Sequence, residues 1–152
     1  MKTAQQWFDD YAISHQNKTN ITIHFICVPA IFFSVIGLLF SIPKTFLENT
    51  LGMYNPLIEN WAAVVALFTL IFYLRLGFWY FINMLLLTLL SIIGNYWLSS
   101  LGNLTLISLT IFILAWFGQF YGHKVEGKKP SFIKDLQFLL IGPLWILKKI
   151  GN

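Results

Sequence analysis

Charge is scarce in this sequence. Only 11% of its 152 residues are charged, against roughly 25% in soluble proteins. A soluble domain could not cover its surface with so few charges, and a disordered chain would need more polarity. Cysteine is scarcer still. The single Cys27 excludes an internal disulfide and lies in an apolar run, where it reads as a small buried hydrophobe. P-loop, Gly-x-Ser-x-Gly and Cys-x-x-Cys motifs are absent, so the chemistries they support have no footing here. Residues 1–24 are polar, and the first apolar run ends without a small-x-small cleavage site, so no secretory signal peptide is expected. What the chain has in abundance is apolar surface: 57% hydrophobic and 18% aromatic residues, with mean hydropathy +0.71. These numbers predict a single integral membrane domain over residues 1–152.

The few charges are unevenly placed. Between Phe25 and Gly122 there are only Lys44, Glu48, Glu59 and Arg75. The net charge of +4 arises entirely after Gly122, where six lysines face Glu126 and Asp135. A basic tail beside membrane spans marks the cytoplasmic side and gives no reason to expect nucleic-acid binding. Apolar runs predict spans at about 23–42, 61–75, 78–98 and 104–122. The second and third share one apolar block, Trp61 to Leu98, which as a straight helix would measure about 57 Å against a hydrocarbon core of about 30 Å. It must fold back, and Arg75-Leu76-Gly77 is the natural turn. A further apolar stretch, Leu136 to Leu147, is too short to span. It predicts an interfacial or re-entrant helix over about 132–148, after a loop at Gly127-Lys128-Lys129-Pro130. The expected fold is therefore all-α: a polytopic membrane helical bundle of about four transmembrane helices plus this C-terminal helix. An even number of spans puts both termini in the cytoplasm.

Against this background the polar residues stand out. His15 and His24 precede or open the first span, and His123 closes the fourth. All three fall at one level of the bilayer, as a metal site built between helices requires. Gln119, His123 and Glu126 share one helical stripe if the helix continues that far, and Asn20 and His24 are likewise four apart. His15 and His24 are nine apart, about half a turn around a straight helix, so a single helix cannot aim both at one ion. A break at Asn17-Lys18-Thr19-Asn20 would solve this, because three of these four residues form helix poorly. Neutral imidazoles with a carboxylate and open positions suit Fe(II) and O2, while zinc hydrolysis uses similar ligands. Three interfacial histidines bonding headgroups or backbone would be the plain alternative.

His15, Asn20, His24 and Pro29, followed by Trp116-x-x-Gln119-Phe120-x-Gly122-His123-x-x-Glu126, Pro130 and Gly142-Pro143, resemble the 2-hydroxy fatty acid dioxygenase family across nearly the whole chain. Cys27 and Ser131 depart from its pattern, standing where glycine and alanine are common. The resemblance implies a small membrane enzyme that uses Fe(II) and O2 to remove one carbon from a 2-hydroxy fatty acid by α-oxidation. Fungal relatives act in the endoplasmic reticulum during breakdown of the phytosphingosine base, and a bacterial member would lie in the inner membrane. It further implies that His15, His24 and His123 hold the metal. Glu126 would be a fourth ligand or support one, and Asn20 and Gln119 would orient imidazoles or the substrate carboxylate. A substrate lying among membrane lipids would present its carboxylate at the depth of these histidines. Competing expectations are a zinc-dependent lipid hydrolase and a non-catalytic carrier or assembly subunit. The carrier is disfavoured by the near absence of ionisable residues at mid-depth.

Overall fold

The computed structural model describes residues 2–52, 55–127 and 132–150. Pro130 and Ser131, with Lys128 and Lys129 of the expected loop, lie outside the described residues. Within them are seven helices and no strand: α1 (Ala4–Ala12), α2 (Lys18–Phe40), α3 (Thr45–Leu51), α4 (Trp61–Leu76), α5 (Phe78–Ser99), α6 (Leu104–Glu126) and α7 (Phe132–Ile150). Helices α2, α5 and α6 are long and apolar enough to cross a membrane. The chain is thus an all-helical membrane protein. Helix α4 is apolar but has 16 residues, about 24 Å at 1.5 Å per residue, which is short of the hydrocarbon core.

The chain divides into two compact units, residues 33–111 and residues 1–32 with 112–152. In the first, α4 and α5 pack against each other. Gly77 ends one helix and begins the next at φ 144°, a conformation that costs glycine little and other residues much. The second half of α2 lies close to α5. Asn95 Nδ2 donates to the Phe33 carbonyl (3.0 Å) and to that of Ser91 (2.9 Å). Any side chain at Gly37 would run into the Asn95 and Ser108 side chains. Small residues and amide bonds of this kind join helices where no water competes.

The second unit holds α1, the start of α2, the end of α6 and α7. Helix α1 opens with a capping box between Thr3 and Gln6. It packs on α7 through aromatic contacts: Trp7 and Tyr11 meet Phe138 edge-on at 6.5 and 5.2 Å, and Tyr11 meets Trp145 at 5.1 Å. Lys148 Nζ donates to Gln5 Oε1 (3.0 Å) and lies over the Phe8 ring. Helix α7 is longer than the apolar stretch that predicted it. Residues 141–146 are buried without interruption, so its middle is covered by the rest of this unit.

The break between α1 and α2 falls at 13–17, earlier than the residue preferences suggested. Asn17 is the reason. Its Oδ1 accepts from the Thr19 amide (2.9 Å), capping α2, so Lys18, Thr19 and Asn20 become the first turn. Poor helix formers within a helix are good residues at its start, and the pattern could be read either way.

Candidate metal centre

His15 sits in the break itself. Its Nδ1 lies 2.6 Å from the Tyr11 carbonyl, and the Tyr11 ring stacks on the imidazole at 3.9 Å with planes 3° apart. His24, two turns into α2, places Nδ1 at 2.9 Å from the Asn20 carbonyl. A carbonyl can only accept, so both Nδ1 atoms carry the proton and both Nε2 atoms keep a lone pair. This is how metal-binding histidines are generally held. The His15 Nε2 is buried and has no hydrogen-bond partner among the described residues.

Helix α6 brings the third imidazole. It runs to Glu126 and ends at Gly127, with φ 73°, so Gln119, His123 and Glu126 do share one helix. Its close approach to α2 depends on Gly118 and Gly122. A Cβ on Gly122 would come within 2.5 Å of Asn20 Oδ1 and 3.3 Å of the His24 ring, and one on Gly118 within 2.5 Å of Cys27 Sγ. The three imidazole centroids stand 4.3 Å (His15–His24), 5.1 Å (His24–His123) and 5.4 Å (His15–His123) apart. One ligand atom from each lies within 4.8 Å of the others, and all three residues are buried. Bonds of about 2.1 Å to a shared ion would bring nitrogens within about 4.2 Å, so small ring movements suffice. Burial also lowers the His15 pKa to about 4, against the pull of its bond to Tyr11. At neutral pH that imidazole is uncharged, as a metal ligand must be.

The other expected residues divide. Gln119 lines the cavity beside the histidines, together with Tyr11, Val28, Ile31, Trp116, Phe138 and Leu139. Asn20 is fully buried behind His24, where its Nδ2 donates to the Ser14 carbonyl and to Glu126 Oε2 (both 3.0 Å). Glu126 is not among the clustered ligand atoms. Its carboxylate accepts from the Gln16 amide (3.0 Å), the Asn17 amide (2.9 Å) and Asn20, tying the end of α6 to the turn that carries His15.

Two features escaped the sequence reading. Gly118-x-x-x-Gly122 is a helix-contact signal in an apolar span. Tyr11, four residues before His15, is at helical spacing from it, yet one aromatic carries no signal in a chain so rich in them.

Set against protein families, the chain matches over residues 1–152 the family model described as 2-hydroxy-palmitic acid dioxygenase Mpo1-like. It belongs to this family. Comparison with curated proteins and with solved structures returns no match. For this Mpo1-like chain the buried triad fits a metal on three counts of its own geometry: convergent ligand atoms, a buried His15 Nε2 without a partner among the described residues, and Nδ1 protons of His15 and His24 held by backbone carbonyls.

Proposed function

We propose that this Mpo1-like chain is an Fe(II)-dependent dioxygenase that shortens a 2-hydroxy fatty acid by one carbon. The observation that carries the reading is the buried histidine triad in a chain whose family is described as a 2-hydroxy-palmitic acid dioxygenase. His15, His24 and His123 would hold the iron, which would supply a place for O2 to react beside the substrate. The overall change balances without an outside reductant. The C1–C2 bond breaks, C1 leaves as CO2, and C2 becomes the new carboxyl group. The substrate gives up four electrons, three from C2 and one from C1, and these reduce one O2, which furnishes the new carboxyl oxygen and a water.

The protein supports this chemistry by orientation, charge and exclusion. Tyr11 and Asn20 carbonyls fix the His15 and His24 rings. The ligand set is neutral, since the nearby Glu126 carboxylate is committed to three N–H groups. Such a set leaves the charge of a divalent ion for the substrate carboxylate to balance. Apart from Gln119, the remaining walls are apolar or aromatic and would keep water from the reacting carbon. The free space beside the histidines is small, about 30 Å³, too small for an alkyl chain, which would lie among membrane lipids.

Anaerobic metal analysis of the purified protein tests the reading. Roughly one iron per chain is expected, with His123→Ala losing both the metal and the conversion of 2-hydroxypalmitate to a one-carbon-shorter acid. Zinc in place of iron would point to a hydrolase. Unchanged function after replacement of all three histidines would overturn the assignment.

A further inference from the structure

We propose that Gln119 reads the head of the substrate and sets the preference for 2-hydroxy acids over unsubstituted ones. This rests on the dioxygenase reading above and adds to it a residue outside the metal-binding triad. Gln119 lies on α6, four residues before His123, and lines the same cavity. It is only 6% exposed. Its carboxamide nevertheless makes no hydrogen bond among the described residues. An amide left open toward a cavity is set for a ligand.

The chemistry of that ligand follows from the walls. Val28, Ile31, Phe138 and Leu139 offer no polar group, and the Trp116 indole can only donate. The Tyr11 hydroxyl lies next to Gly142 of α7, 3.2 Å from where a Cβ would stand. Apart from the histidines and the Tyr11 hydroxyl, the lining side chain that offers both a donor and an acceptor is Gln119. A 2-hydroxy acid carries the complement on adjacent carbons: a carboxylate that accepts from Nε2 and a hydroxyl that donates to Oε1. An acid without the hydroxyl leaves Oε1 buried and unmet. A site that must bond a hydroxyl rejects the analogue lacking it far more strongly than a pocket that only measures size.

Equilibrium binding to the full-length protein under anaerobic conditions tests this without turnover. The probes are 2-hydroxypalmitate and palmitate, with metal content measured on the same samples. The wild type is expected to bind the hydroxy acid at least about ten-fold more tightly. Gln119→Leu should keep its metal, weaken 2-hydroxypalmitate by roughly 10–100-fold and leave palmitate within about three-fold. Gln119→Glu keeps the size of the side chain, guarding against misfolding, and sets a carboxylate against the substrate's own, so both acids should weaken. Undiminished discrimination in metal-loaded Gln119→Leu overturns the proposal while the metal centre stands. Loss of metal in that variant makes Gln119 a support of the triad and overturns it as well. A wild type without metal sinks the dioxygenase reading and this inference with it.

Discussion

Glu126 is the acid nearest the histidines, and its three hydrogen bonds decide what it does. A carboxylate accepting from the Gln16 and Asn17 amides and from Asn20 holds the turn in which His15 sits. Glu126→Ala should therefore loosen one ligand of the triad and weaken metal binding by roughly 10–100-fold, the usual effect of losing a group that positions a ligand. Glu126→Gln keeps one acceptor oxygen and should fall between that variant and the wild type. Chelator competition measures both, and a Gln variant as damaged as His123→Ala would instead make Glu126 a ligand. At this scale much was legible in the sequence. Histidines and carboxylates are conspicuous where polar residues are few, and helical spacing alone ties Gln119, His123 and Glu126 into one stripe. The role of Glu126 was not legible, because its partners at Gln16 and Asn17 are backbone amides, which every residue carries.

Among the elements, the approach of α6 to α2 determines whether the triad forms. Gly118 lies against Cys27, and Gly122 lies against Asn20 and His24. Gly118→Ala should push the helices apart, at a cost of about 1–3 kcal/mol for an overpacked contact. The clash is with one sulfur atom, so Cys27→Gly in the same chain should restore most of the lost thermal stability and metal retention. Melting temperature and metal content of the two single variants and the double variant check this, and additive losses would show that the two residues do not press on each other. Hydropathy found the long helices readily, since an apolar run of spanning length allows little else. It served less well where the determinant is a contact. The short α1 has no such run, and the α1–α2 break turned on whether Asn17 caps a helix or interrupts one. The burial of α7 depends on α1, whose aromatic face only becomes meaningful once both helices are side by side.

At the scale of the whole molecule, the triad constrains how the chain threads the bilayer. His24 lies near the start of α2 and His123 near the end of α6, yet their rings are 5.1 Å apart. The two residues therefore share one depth. A chain that leaves this depth along α2 and returns to it along α6 crosses the membrane an even number of times. Helices α2, α5 and α6 are long and apolar enough for three crossings, so a shared metal at the proposed triad calls for a fourth, and the seven-residue α3 is far too short. We propose that helix α4 supplies it in spite of its 16 residues. Local thinning of the bilayer accommodates such a span at a fraction of a kcal/mol per Å of mismatch, and Arg75 in its last turn can extend toward the headgroups. Single cysteines at Asn49 and Leu101, introduced into a Cys27→Ala background, report the threading. With α4 crossing, both positions lie on the same face, opposite the basic tail, and a membrane-impermeant thiol reagent applied to intact cells should label both. Labelling of one alone would mean three crossings. His24 and His123 would then stand on opposite faces of the membrane, and no metal could join them.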